Sequence, residues 1–87
     1  MSYEVGDYVI TSESRDDWVY KSRIIGINDE ENLVEVVDLW SYHIKVNTVT
    51  QETDTNGCQI SMNDVIQKVP KNFRLRNVKQ THPEVFL

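Results

Sequence analysis

The segment from Trp18 to Leu39 is the part of this sequence that most restricts the fold. The run from Trp18 to Ile27 is rich in β-branched and aromatic residues, with apolar side chains on both faces of a strand, and a second run rich in valine extends from Leu33 to Leu39. The five residues between the runs, Asn28 to Asn32, are typical of a turn. Because successive side chains of a strand point to opposite faces, this pattern predicts a β-hairpin over residues 18–39.

The composition also favours strands over helices. Twelve valines, seven isoleucines and six threonines make up more than a quarter of the 87 residues, and alanine is absent. Side chains branched at Cβ lose rotamer freedom in a helix but pack well on a pleated sheet, and alanine is the strongest helix former. A helical bundle is therefore nearly excluded, and a chain of this length is expected to form one small core.

Shorter strands are predicted on both sides of the hairpin. The predicted strands are residues 5–11, 18–27, 33–39, 42–51, 58–62 and 67–69. A corner at residues 40–42 and a tight turn at Asn56-Gly57 make residues 42–62 a second hairpin. The spacing of Ser61 and Asp64 favours one short helical or 3₁₀ turn over residues 63–66, before the last strand.

This plan predicts an all-β chain, a small SH3-like barrel of five to six antiparallel strands with an extra hairpin. Residues 1–70 are expected to form the barrel and residues 71–87 a basic C-terminal tail. An OB-fold would need longer strands and a true helix. No apolar run approaches the ~18 residues that span a bilayer, and the single cysteine cannot form an internal disulfide. We therefore expect a cytoplasmic protein without a membrane anchor.

Charge is segregated along the chain. Residues 1–54 hold twelve acidic and four basic residues, whereas residues 55–87 hold two acidic and five basic residues. The candidate acidic surface is Asp16, Asp17, Asp29, Glu30 and Glu31, and the basic tail carries Lys71, Arg74, Arg76 and Lys79. Repulsion between the acidic body and phosphates favours a protein partner over direct nucleic-acid binding. The alternatives are that the tail packs on the acidic body of its own chain, or that its basic residues bind nucleic acid with Phe73 as a stacking side chain.

Four segments between residues 5 and 38 follow the pattern of a known family. They are Val5-Gly6-Asp7, Trp18-Val19-Tyr20-Lys21-Ser22-Arg23-Ile24, Ile25-Gly26-Ile27-Asn28 and Leu33-Val34-Glu35-Val36-Val37-Asp38. These segments resemble the first three strands of a Tudor domain and its Royal-superfamily relatives. The resemblance implies an SH3-like barrel with an aromatic cage that binds methylated arginine or lysine by cation–π attraction. Tyr20 matches a cage position, and Trp40 and Tyr42 stand near another as displaced substitutes.

The candidate binding site combines four aromatic residues with one acid. Its residues are Trp18, Tyr20, Asp38, Trp40 and Tyr42. If they meet at one mouth of the barrel, they provide a rigid surface for a protein segment, because Trp and Tyr are enriched at interface hot spots. The alternative is that two or three of them only pack in the core or at the barrel rim.

Two functions of different classes follow from these patterns. The first is a non-enzymatic protein-interaction module that binds a protein segment through its aromatic and acidic face. The second is an acidic regulatory protein of the phage type, which imitates DNA and blocks a nucleic-acid-handling enzyme.

No catalytic residue, cofactor or metal site is predicted. Cys58 and His43 are the only conceivable nucleophile and base, and no third group orients them. Residues 52–57 resemble the first half of a calcium loop but lack its final glutamate, and the histidines and cysteine lack zinc spacing.

Overall fold

The computed structural model describes residues 3–12, 18–53 and 55–75, and these ranges form one antiparallel sheet. The strands are β1 (Tyr8–Ser12), β2 (Trp18–Asn28), β3 (Leu33–His43), β4 (Thr48–Gln51), β5 (Cys58–Ser61) and β6 (Val65–Val69). Their order is β4-β3-β2-β1-β6, and β5 also pairs with β3. The prediction of an all-β chain is confirmed, and no helix in these ranges is long and apolar enough to cross a membrane.

The predicted central hairpin is confirmed as β2 and β3. The strands are joined through residues 29–32, where Asn32 has a φ of 56°. The predicted corner at residues 40–42 is wrong, because pairing with β2 continues to His43, opposite Trp18. The register shifts twice, which leaves Leu39 on β3 and Ile25 on β2 as extra residues.

The predicted second hairpin over residues 42–62 is wrong. β4 pairs with residues 40–43 of β3, whereas β5 pairs with residues 33–36. The long third strand thus offers its free edge to two short strands in succession. The turn into β4 contains Asn47 at a φ of 55°, whereas neither Asn56 nor Gly57 has a positive φ. The Asn-Gly pair therefore lies in a loop that carries the chain along β3, and not in a tight turn.

Both faces of the sheet bury apolar side chains. Val9 and Ile10 are neighbours on β1 and point to opposite faces, which we call the Val9 face and the Ile10 face. The buried cluster of the Val9 face is Val9, Ile24, Val34 and Val36. The buried cluster of the Ile10 face is Ile10, Val19, Tyr42, Val69 and Leu75. Because both faces of the sheet are buried, apolar side chains occur on both faces of the predicted strands.

Residues 71–75, from the start of the predicted tail, pack on the Ile10 face. Leu75 is 3% exposed, and Phe73 packs against the same cluster. The Lys21 ammonium on β2 holds this segment, since its Nζ donates hydrogen bonds to the carbonyl oxygens of Lys71 (2.5 Å) and Phe73 (2.9 Å). The rest of the predicted tail, including Arg76 and Lys79, lies outside the described residues.

A 3₁₀ turn lies between β5 and β6 at Met62–Asp64, so the predicted bounds of 63–66 are wrong by one to two residues, and Val65 and Ile66 belong to β6. The Ser61 hydroxyl caps it by accepting a hydrogen bond from the Asn63 amide at 3.2 Å. This single turn connects a strand that pairs with β3 to a strand that pairs with β1. It therefore links two strands that lie on opposite sides of the central hairpin.

Candidate functional site

The structure divides the five candidate binding residues between the two faces. Tyr20 is paired with Ser41, and its neighbour Lys21 is paired with Trp40, so the Tyr20 and Trp40 side chains point to opposite faces. The residues on the Val9 face are Trp18, Tyr20 and Asp38, and those on the Ile10 face are Trp40 and Tyr42.

A pocket of about 310 Å³ opens beside Tyr20, and we call it the aromatic–acidic pocket. Its described lining residues are Tyr20, Asp38, Glu52, Asn56, Gly57 and Cys58. Tyr20 comes from β2 and Asp38 from β3, and the remaining residues come from the connection between β4 and β5 and from the start of β5. The Glu52 amide donates to the Leu39 carbonyl at 3.0 Å, which holds the start of this connection against β3.

A stack of aromatic rings supports one side of the pocket. The rings of Trp18 and Tyr20 lie nearly parallel, with centroids 6.4 Å apart. The His43 ring meets Trp18 edge-on at 4.5 Å. Such contacts restrict ring rotation, so Tyr20 presents a largely fixed surface to the pocket.

Two carboxylates give the pocket its charge. Burial raises the pKa of the Asp38 carboxyl, the hydrogen bond from Ser22 Oγ at 2.6 Å opposes this, and the negative charge of Glu52 raises the pKa further. The net effect is a raised pKa. The described residues that line the pocket include no lysine or arginine. A positive charge brought into this pocket would therefore meet two acids without displacing a described base.

The other two aromatic candidates have different surroundings. Tyr42 is 3% exposed in the core of the Ile10 face, and its hydroxyl donates to Asn47 Oδ1 in the turn into β4. Trp40 is 36% exposed. Tyr42 therefore packs in the core and secures a turn, whereas Trp40 retains an accessible ring.

A second cavity, of about 320 Å³, lies on the Ile10 face, and we call it the basic–apolar cavity. Its described lining residues are Lys21, Trp40, Val49, Asn72, Phe73, Arg74 and Leu75. Burial lowers the pKa of the Lys21 ammonium. Nothing in the sequence marks Lys21 as a site residue, because its neighbours Tyr20, Ser22 and Arg23 carry polar groups and give no signal of burial.

The remaining candidates are more dispersed. Asp29, Glu30 and Glu31 are exposed in the turn between β2 and β3, Lys71 and Arg74 are also exposed, and Asp16 and Asp17 lie outside the described residues. Cys58 pairs with Val36, seven positions along β3 from His43. Within residues 3–12, 18–53 and 55–75, no group of three or more His, Cys, Asp or Glu side chains could hold a metal ion.

Comparison of the chain with protein-family models, with curated proteins and with solved structures found no match. The function is therefore inferred from the chemistry of the two cavities.

Proposed function

We propose that this chain is a non-enzymatic interaction module that binds a basic segment of a partner protein. The binding site is the aromatic–acidic pocket. The observation that carries the proposal is the arrangement of the Tyr20 ring, Asp38 and Glu52 around one opening of about 310 Å³.

The pocket chemistry suits a cation for two reasons. An aromatic ring face attracts a cation by roughly 0.5–2 kcal/mol, depending on how far the cation is desolvated. Carboxylates form charge-assisted hydrogen bonds that are stronger than neutral ones. The excess of acidic residues in 1–54 also attracts a basic partner before contact.

The strand arrangement supports a barrel of the SH3-like type as the scaffold of this module. β1, β2 and β3 form the middle of the sheet, and a single 3₁₀ turn joins β5 to β6 on its two sides. Such a short connection between strands on the two sides of a sheet favours closure of the sheet into a small barrel. In the Tudor-like pattern, Tyr20 is the cage residue, and it is also the aromatic residue that lines the pocket.

The proposal is tested by the binding of labelled peptides, measured as fluorescence anisotropy. The probes are lysine-rich and arginine-rich peptides, unmodified and methylated, with an acidic peptide of equal length as the negative control. Tyr20→Leu and Glu52→Gln should each weaken binding of the best basic peptide by about fivefold or more.

The matched control is Glu30→Gln, which removes the same charge from an exposed turn outside the pocket. It should change the affinity by less than about twofold, because exposed charges are screened. Equal losses for Glu52→Gln and Glu30→Gln would mean that general charge attraction, and not the pocket, binds the peptide. A preference for the methylated probes would extend the Tudor-like resemblance to the ligand.

A further inference from the structure

The basic–apolar cavity differs from the aromatic–acidic pocket in charge and lies on the opposite face. Both openings have almost the same volume, about 320 and 310 Å³. Lys21 and Arg74 line the basic–apolar cavity, and its described lining includes no acid. The two cavities are therefore suited to ligands of opposite charge.

Neutral groups alone hold the buried ammonium of Lys21 among the described residues. Lys21 is only 6% exposed, and its two hydrogen bonds go to carbonyl oxygens, which carry no formal charge. The Tyr8 ring centroid lies 5.6 Å from Nζ and adds a weak attraction. Among the described residues, no carboxylate lies within ion-pair distance of Nζ. Because buried charges in proteins are nearly always paired, an anion that enters the cavity would give the Lys21 ammonium a charged partner.

Apolar side chains form part of the cavity wall beside this charge. Trp40 exposes 36% of its surface, and Val49 and Phe73 are half-buried. Arg74 is exposed, and its guanidinium can bind a carboxylate with two parallel hydrogen bonds. Asn72 adds an amide that can donate or accept. An occupant would therefore combine one negative group with one apolar group.

We propose that the basic–apolar cavity binds a small organic carboxylate that carries an aromatic or branched apolar group. The carboxylate lies between Lys21 and Arg74, and the apolar group packs against Trp40, Val49 and Phe73. The cavity volume is near the lower limit of small-ligand sites, roughly 300–1,000 Å³, and suits one ring-sized group. The acidic body disfavours a polyanion such as nucleic acid.

The test compares matched probes by calorimetry and by the fluorescence of Trp40 in a Trp18→Phe variant. The probes are 3-phenylpropionate and its neutral amide, together with N-acetylphenylalanine and phenyl phosphate. The two carboxylates should bind and change Trp40 fluorescence, and the neutral amide should bind about tenfold more weakly. Tighter binding of N-acetylphenylalanine would indicate that the ligand is the carboxylate of a peptide. Tighter binding of 3-phenylpropionate would indicate that the ligand is a free organic acid.

Two variants connect the binding to the cavity. Arg74→Gln should weaken 3-phenylpropionate binding by about tenfold. The matched control is Lys71→Gln, which removes the same charge from a residue that does not line the cavity, and it should change the affinity by less than about twofold. Lys21→Met provides a second test once circular dichroism shows that it folds, and it should abolish the preference for acid over amide.

Several results would overturn the proposal. They are equal binding of acid and amide, absence of binding by both carboxylates, or a preference for phenyl phosphate. A failure here leaves the aromatic–acidic pocket unaffected, because the two cavities lie on opposite faces of the sheet.

Discussion

Asp38→Asn should weaken binding of a basic peptide without destabilising the fold. The asparagine side chain has nearly the same shape, and its carbonyl oxygen can still accept the hydrogen bond from Ser22 Oγ, which is 2.6 Å from Asp38 in the native chain. The substitution therefore removes one negative charge from the pocket and leaves the packing unchanged.

The sign of the stability change follows from the raised pKa of Asp38. Burial, with a smaller contribution from Glu52, makes the folded protein hold the carboxyl proton more tightly than the unfolded chain. The stabilisation that results is complete below the unfolded pKa and is lost as the pH rises through the folded pKa. At pH 7 the ionised carboxylate is therefore unfavourable. Asp38→Asn should therefore raise the free energy of unfolding at pH 7, and the gain should be small because the site is partly solvated.

The affinity should change in the opposite direction. The loss of one charge-assisted contact corresponds to roughly 1.5 kcal/mol or more, which is about a tenfold weaker affinity. Urea denaturation at pH 7 and at pH 3 measures stability, and anisotropy with the best basic peptide measures affinity. The native chain should also bind this peptide less tightly as the pH falls through the raised pKa of Asp38. Unchanged affinity together with a stability loss of more than about 1 kcal/mol would refute the reasoning, because Asp38 would then be a structural residue.

Three further substitutions test the fold, each by urea denaturation. Leu75→Ala should lower the free energy of unfolding by about 2–4 kcal/mol, because Leu75 is 3% exposed; Val46→Ala, at 65% exposure, is the control and should cost less than about 0.5 kcal/mol. Lys21→Met should lower the free energy of unfolding by about 2 kcal/mol, since it leaves the carbonyls of Lys71 and Phe73 without their donor. An unchanged stability would mean that these two hydrogen bonds do not hold residues 71–75 on the sheet. Gly6→Ala should cost about 1–2 kcal/mol because Gly6 has a φ of 99°, and a neutral effect would mean that the turn can relax.

The central hairpin could be predicted from the sequence because its pattern is local. Two runs of strand-forming residues with a polar turn between them specify β2 and β3, and Ser61 specifies the cap of the 3₁₀ turn. The partners of β4 and β5 could not be predicted in the same way. The Asn56-Gly57 pair indicates a tight turn, but the long free edge of β3 offers both strands a partner, and pairing with it prevails.

The candidate site was only partly predictable because a bulge changes which side chains share a face. Asp38 and Trp40 are two residues apart and would lie on one face of a regular strand. The extra residue at Leu39 reverses the alternation, so Asp38 joins Tyr20 while Trp40 joins Lys21. Glu52 enters the pocket through a loop whose path depends on strand pairing. Neither the bulge nor this path has a signal in the sequence pattern.

A titration of the isotope-labelled chain with the best basic peptide, followed by amide chemical shifts in NMR spectra, tests the central claim most directly. Binding in the aromatic–acidic pocket should give saturable shifts at Tyr20, Asp38 and Glu52, which line it, and little change at Val49 and Phe73 on the opposite face. Shifts confined to Val49 and Phe73, or to the exposed turn at residues 29–31, would contradict it.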